Sequence, residues 1–378
     1  MTEELQSFIE KHDLLGCIQC GRCTGGCPVT VRTELNVRRF VYDTVDENIL
    51  EELSKLPEIW DCTACNTCAV RCPKGLKPVE VLIGLRNILV EIVGDVQPTV
   101  RDALESVFRE GNPWDKSRAT RTDWMKDLEV KMAEPGEPVE NLMFVCCTIA
   151  YDPKVQVIAK NLVKLLNKAG VDYGFLDNSE TCCSSEVHNL GEEGLFEMMV
   201  EDNTELLNEY EAKRIVTISP HCYSAFKNQY PDLKAEIIHY THLVKEILED
   251  KKVVLNKELS EKIVFHDPCF LGKQNDVYDE PRYVLGQIPG AELLEFDRNR
   301  QRSLCCEGGG GKMWVETESK KERLSETRVK DARELGATVL AVACPFCVLT
   351  LDDSLKAKGF EEEMRVAEIM ELLDEALD

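Results

Sequence analysis

"LCCEGGGGK" (304–312) sets two cysteines, Cys305 and Cys306, side by side, and "ETCCSSEVHNLG" (180–191) does the same with Cys182 and Cys183. Around each pair the chain repeats itself. "NLMFVCC" (141–147) and "KIVFHDPC" (262–269) are short apolar runs that end in cysteine. After the first run the pattern predicts a helix over "KVQVIAKNLVKLLNKAG", stopped by Gly170, then a strand "VDYGFL", then the cysteine pair. A helix "GLFEMMVEDNTELLNEYEAK", a strand "RIVTIS" and Cys222 follow. The second copy runs likewise: helix "PRYVLGQI", strand "AELLEF", the pair, a long helix near 312–335, strand "TVLAVA", then Cys344 and Cys347. The offset is 122 residues from Cys147 to Cys269, 123 from Cys182 to Cys305 and 125 from Cys222 to Cys347. Strand–helix alternation implies parallel sheets with right-handed crossovers. The cysteines fall at strand ends, where open α/β sheets gather ligands. Each copy therefore collects its thiols at one sheet edge, and the two edges can face each other across a cleft.

Upstream the cysteines follow a different rule. "CIQCGRCTGGCP" carries Cys17, Cys20, Cys23 and Cys27 before Pro28, and "CTACNTCAVRCP" carries Cys62, Cys65, Cys68 and Cys72 before Pro73. Each is the C-x2-C-x2-C-x3-C-P run of bacterial ferredoxins. Three closely spaced thiolates wrap three irons of a cubane, with Gly21, Gly25 and Ala64 leaving room. The fourth is carried away by the turn and binds the other cluster. One cubane is thus assigned to Cys17, Cys20, Cys23 and Cys72, and the other to Cys62, Cys65, Cys68 and Cys27. Structural zinc also uses C-x2-C pairs, but two complete runs point to two [4Fe-4S] clusters. The segment between the runs and the stretch after Pro78 read as amphipathic helices.

The length allows two or three domains, and the ordinary apolar fraction allows a real core. The chain has 378 residues, 18 cysteines and a formal net charge of −24. That charge argues against nucleic acid and against an anionic membrane surface. It suits basic patches on protein partners. The start lacks a basic-then-apolar leader, and apolar runs such as "TVLAVAC" are too short to span a bilayer. The expectation is a cytoplasmic protein without direct membrane insertion, whose thiols serve as metal ligands rather than disulfides. The predicted organisation is multidomain: a helical two-cluster ferredoxin domain over 1–95, a Pro- and Gly-marked linker over 96–140, and duplicated α/β repeats with parallel sheets over 141–255 and 256–378. In the linker, Trp114 and Trp124 are expected to anchor the crossing segment on the next domain.

The pattern C…CC…CxxC resembles the "CCG" domain of heterodisulfide reductase catalytic subunits and of related iron–sulfur subunits of lactate-, glycolate- and glycerol-3-phosphate-oxidising enzymes. "CIQCGRCTGGCPV" through "WDCTACNTCAVRCPKGLKPVEVLIGLRNI" resembles the small ferredoxin-type subunit of heterodisulfide reductase. Nearly the whole chain is similar to a fusion of the two, as in the D-type subunit. The resemblance implies that each complete motif supplies five thiolates to a noncubane [4Fe-4S] cluster, and that a disulfide is reduced between two such clusters. The second copy matches fully with Cys269, Cys305, Cys306, Cys344 and Cys347. The first matches with Cys147, Cys182, Cys183 and Cys222, but Ser219 stands where a cysteine is expected, in "SPHC", and an additional Cys146 precedes Cys147. Ser219 ligating through oxygen, a four-thiolate cluster, substitution by Cys146, and zinc all stay open here. Ser184 and Glu307 replace the glycine expected after each pair, and Phe270 replaces a histidine found in relatives after the DPC cysteine.

His266 in "HDPC" and His221 in "SPHC" are the candidate catalytic proton donors, since histidine titrates near neutral pH. Each alternatively bonds a backbone group or a cluster sulfur. Lys273, Lys312 and Arg298 are candidates for drawing in an anionic substrate. "ESKKERLSETRVKDAREL" is expected as an exposed helix, and "EEEMRVAEIMELLDEALD" as a packed terminal helix. The glycine run 308–311 is not a G-x-G-x-x-G nucleotide fingerprint. A flavin is therefore expected on a partner, in a hetero-oligomeric complex. Two functions follow. One passes electrons from a flavoprotein through two cubanes to a noncubane cluster that reduces a disulfide, such as that of coenzymes M and B in methanogenesis. The other is an electron-transfer subunit of a flavin-dependent dehydrogenase or respiratory complex, with no substrate site of its own; Ser219 and Phe270 favour it.

Overall fold

The apolar runs at the centre of each repeat become strands buried on both faces, as parallel strands covered by helices must be, while the edge strand from "AELLEF" stays largely exposed. In the computed structural model, which describes residues 3–377 except 47, 48, 50–52, 95, 318 and 320, β1 (Pro138–Phe144), β2 (Gly174–Phe175), β3 (Glu211–Thr217) and β4 (Glu236–His239) form a parallel sheet in the order β2-β1-β3-β4. Leu142 pairs with Gly174 on one side and Ile215 on the other. The second repeat builds the same sheet from β5 (Lys262–Phe265), β6 (Glu292–Leu294), β7 (Val339–Val342) and β8 (Arg365–Glu368), in the order β6-β5-β7-β8. The expected duplication is thus a duplication of topology. In both sheets the order reverses beside the first strand, so a crevice opens at the carboxyl ends of neighbouring strands. Cys146 and Cys147 follow β1, Cys182 and Cys183 follow β2, and Cys222 follows β3; Cys269, Cys305 and Cys347 repeat this after β5, β6 and β7.

One apolar core runs through both repeats, from Trp124 and Leu142 to Leu340 and Leu373. A second joins the N-terminal helices to the thiol edges: Leu5, Phe40, Ile59 and Leu82 share it with Cys147, Cys182, Cys269, Phe270 and Cys305. The cysteine-rich N-terminal domain therefore caps the edges of both sheets. Arg86, 1% exposed, pins this arrangement. Its guanidinium donates to the carbonyls of Ile59, Cys62, Asn189 and Gly310, which come from three parts of the chain.

Several boundaries differ from expectation. The linker contains the helix Pro98–Glu110, whose Val100, Leu104 and Val107 belong to the N-terminal core. The crossing proper starts after Gly111, and β1 already begins at Pro138. Trp124 is buried against Phe175, ring centroids 5.5 Å apart, and Trp114 lies 5.0 Å from Trp314. The helix expected near 312–335 spans only Leu324–Glu334, because the glycine run leads into turns. That helix is not simply exposed: it buries Leu324, Arg328 and Val329. The terminal stretch divides into strand β8 and the helix Ile369–Ala376. Between the ferredoxin runs, the helix Val37–Val45 and the turns Leu53–Lys55 and Pro57–Asp61 form, and the middle of that stretch lies outside the described residues.

Candidate metal centre

All eighteen cysteines are free thiols. In the N-terminal domain they fall into two groups. Cys17, Cys20, Cys23 and Cys72 line one pocket with Arg38 and Lys74. Cys20 is exposed, and Leu15, Ile18, Val31 and Tyr42 are exposed apolar side chains of the same domain. Cys27 lies instead beside Cys62 and Cys65, and Cys68 faces Cys62, Cys65 and Cys27. Cys27 thus sits beside thiols of the second run, and Cys72 beside those of the first. Burial, followed by the neighbouring thiols, pushes Cys68 well above the ordinary thiol range. A buried thiol cluster of this kind ionises only when a metal supplies the compensating charge. The donor set therefore fits an iron–sulfur cluster.

In the second repeat the thiols form a chain of contacts. Cys269 reaches Cys305, Cys305 reaches Cys306, Cys306 lies 3.2 Å from Cys347, and Cys347 reaches Cys344. The Glu307 N–H donates to Cys305 Sγ at 3.2 Å. Glu307 sits at φ 63°, which explains why glycine is expected there. Its carboxylate accepts from Arg32 of the N-terminal domain at 2.9 and 2.7 Å and from the Leu324 N–H at 2.8 Å. The glycine run serves close approach. A Cβ on Gly310 would fall 2.5 Å from the Thr63 carbonyl carbon, and one on Gly311 would fall 2.2 Å from the Leu190 side chain.

The first repeat shows the same chain. Cys147 reaches Cys182, Cys182 reaches Cys183, and Cys183 reaches Cys222. The Ser184 N–H donates to Cys182 Sγ at 3.3 Å, and Ser184 too has positive φ, 57°. Arg121, from the crossing segment, donates to Cys147 Sγ at 3.4 Å and pairs with Glu180, both side chains buried. Glu180 in turn accepts from the N–H groups of Val145 at 3.1 Å and Cys146 at 3.2 Å.

Two junctions matter. The first joins the N-terminal domain to the second repeat. The Cys65 thiol is within hydrogen-bonding reach of Cys305, and Cys305 Sγ lies 3.4 Å from Thr63 Oγ1. Lys273 Nζ ties Thr67 Oγ1 (3.0 Å) to the Ser303 carbonyl (2.6 Å), and Gln274 donates to the Ala64 carbonyl (2.9 Å). The second junction joins the repeats. His221 of the first stands beside Cys344 of the second, between Phe270 (ring centroids 4.1 Å) and Phe346 (4.6 Å), with Glu186 at 3.6 Å. Neither ring nitrogen makes a hydrogen bond of normal geometry.

The two candidate histidines thus have different surroundings. Burial works to keep the His221 ring neutral, but Cys344 and the Glu186 carboxylate outweigh it and raise the ring to about 9. Burial and then the Arg328 guanidinium hold His266 down to about 3. His266 is therefore neutral: Nδ1 accepts from Arg328 Nε at 3.2 Å, and a ring nitrogen lies within 4.8 Å of the Cys306 and Cys347 sulfurs. With Nδ1 accepting, the ring's one proton sits on Nε2. The three basic candidates are engaged as well. Lys273 is buried at the junction, Lys312 binds Thr317 and faces Asp61, and Arg298 pairs with Asp331. Arg86, Arg121, Thr63 and Glu186 were not singled out from the sequence. Nothing in a single charged or hydroxyl residue announces burial, and each acts on a partner 24 or more residues away.

Comparison with known proteins agrees with this layout. Residues 13–76 match the 4Fe-4S dicluster domain, and residues 141–227 and 263–352 each match the cysteine-rich domain CCG. The chain is 32% identical to the probable iron-sulfur-binding oxidoreductase FadF of Bacillus subtilis, over 97% of this chain and 60% of that protein. It is 30% identical to EtfAB:quinone oxidoreductase of Syntrophomonas wolfei, over 100% of this chain and 60% of that protein. The chain thus spans about 60% of the length of these two relatives. It is 28% identical to the D-type subunit of the dihydromethanophenazine:CoB–CoM heterodisulfide reductase of Methanosarcina barkeri, over 98% of this chain and 95% of that one. The fold is shared with a hypothetical protein from Helicobacter pylori, at a TM-score of 0.53 and 12% identity, over 100% of this chain and 73% of that one.

Proposed function

Because this chain belongs to the iron–sulfur oxidoreductase family that joins a 4Fe-4S dicluster domain to two cysteine-rich domains, we propose that it carries electrons from a flavoprotein partner, through its N-terminal domain, to the second cysteine-rich repeat. The contact between Cys65 and Cys305 carries the reading, since it brings the thiols of two sets together. When bound, the clusters supply reversible one-electron carriers. The ligand sets are Cys17, Cys20, Cys23 and Cys72; Cys62, Cys65, Cys68 and Cys27; and Cys269, Cys305, Cys306, Cys344 and Cys347. The chain's own residues do the positioning. Thr63, Lys273 and Gln274 hold the Cys65–Cys305 junction in register. Arg38 and Lys74 give the exposed Cys17–Cys72 pocket a basic rim, so the donor meets it with an acidic face. No helix among the described residues is long and apolar enough to cross a membrane.

A second reading is disulfide reduction between the repeats, as the name of the Methanosarcina relative suggests. The complete second thiol set and the buried His221, beside Cys344 and 3.6 Å from Glu186, favour it. Phe270 and Phe346, packed on both sides of His221, favour the transfer reading, because they shield the ring from an incoming substrate.

The test is anaerobic reduction of the full chain by a reduced flavoprotein, followed by EPR with and without added thiols. In Cys305→Ser the dicluster signals should still form, while reduction of an acceptor falls to background. Unchanged acceptor reduction in that variant would overturn the route. A signal in the unsubstituted chain that shifts with thiol, together with disulfide turnover, would establish the second reading instead.

A further inference from the structure

We propose that Cys146, and not Ser219, completes the first repeat, so that both repeats hold their iron–sulfur cluster through five thiolates. The inference rests on the iron–sulfur reading above and concerns which residue of this chain serves it.

The two repeats exchange residues at two positions. The first has Cys146 where the second has Pro268, and Ser219 where the second has Cys344. A thiol absent at one position is thus present at the other. The contacts agree. In the second repeat the chain of thiols ends with Cys347 touching Cys344. In the first it ends with Cys222 touching Cys146, and Cys146 also touches Ser219. Cys146 therefore reaches the place that Cys344 holds, coming from β1 instead of β3.

Ser219 is otherwise employed. It caps the helix Pro220–Gln229, its hydroxyl accepting from the His221 N–H at 3.3 Å. Cys344 stands at the same point of the helix Pro345–Lys358 and makes no such side-chain cap; its sulfur faces Cys347 and His221 instead. A serine oxygen is also a harder and far less acidic donor than a thiol, poorly matched to iron–sulfur chemistry. The backbone of Cys146 is held for the role. It adopts φ 82°, and its N–H is fixed by Glu180, which the buried Arg121 secures. Finally, the cysteine inventory closes. Eight thiols in the N-terminal domain and five in each repeat account for all eighteen.

The experiment compares the full chain with three variants, each purified without oxygen and measured for iron, acid-labile sulfide, zinc and 57Fe Mössbauer components. Four four-iron clusters require about sixteen irons per chain. Cys146→Ala should lose about a quarter of the iron and one Mössbauer component, the same one lost in Cys183→Ala. Ser219→Ala should keep both. Adding Ser219→Cys to Cys146→Ala, which moves the thiol to the second repeat's position, should restore them. Loss in Ser219→Ala with retention in Cys146→Ala would overturn the inference. So would about twelve irons in the unsubstituted chain, with or without zinc, because the first repeat would then hold no iron cluster. About eight irons would instead remove the iron–sulfur reading of both repeats, a separable failure. Should Cys146→Ala not accumulate, Cys146→Ser is read beside Ser219→Ala: a changed first-repeat Mössbauer component in Cys146→Ser alone supports the thiol assignment, and a change in Ser219→Ala alone, or in neither, overturns it.

Discussion

The first and second cysteine-rich repeats share a sheet order and a chain of thiol contacts, yet different charged groups hold them. Behind the first set stands an ion pair from outside the repeat's first strand: Arg121, in the crossing segment, with Glu180 beside the cysteine pair. Behind the second stand Arg328, fully buried on its own helix and stacked 3.4 Å from the Phe296 ring centroid, and the neutral His266 it donates to. After the pair, the first repeat puts a serine with modest side-chain bonding at positive φ, whereas the second puts Glu307, which anchors the N-terminal domain through Arg32. Gene-like duplication of a fold therefore leaves the thiol geometry in place while its supports diverge. The second repeat is the one docked to the N-terminal thiols.

The comparison can be broken at its supports. The largest effect is expected from Arg121→Leu, which leaves the Glu180 carboxylate buried without its partner. A loss of about 3–5 kcal/mol follows for breaking one side of a buried pair. Chemical denaturation of the metal-loaded chain should show it, with iron lost from the first repeat and not the second. Arg86→Leu should cost about 3 kcal/mol, since several buried carbonyls lose a charged donor. It touches both repeats, so limited proteolysis should release the N-terminal domain from both edges together. An Arg86→Leu chain in which that domain stays protected would show that the apolar core alone holds the cap. Glu307→Ala should cost about 2 kcal/mol through the buried Arg32 it strands, whereas Ser184→Ala at the matching position should cost well under half of that. Equal losses would mean that Arg32 is not what distinguishes the two loops. The smallest effect is a gain. Ser184→Gly relieves a left-handed backbone and should stabilise by up to about 1 kcal/mol in the same denaturation experiment.

Much of this molecule is legible in order along the chain. The two ferredoxin runs, the offsets between cysteine pairs and the alternation of apolar runs with helical periods specify the sets and the parallel repeats, because each depends on spacing within one segment. The errors follow from the same cause. Residues 312–323 carry charge at helical intervals, but the glycine run before them is drawn into contact with Thr63 and Leu190, and helix starts only at Leu324. Pro98–Glu110 looked like part of a linker because its prolines and glycines flank it, yet its apolar face had a distant core to join.

The sequence by itself determined that eighteen thiols would collect in ferredoxin runs and at two sheet edges, since ligand spacing and strand periodicity are local properties. Only the tertiary structure decided which thiols meet. Cys65 against Cys305, Cys146 against Cys222, and His221 against Cys344 are contacts across 76 to 240 residues of chain. They exist because Arg86, Arg32 and Lys273 find their oxygen partners only once the N-terminal domain has packed over both edges.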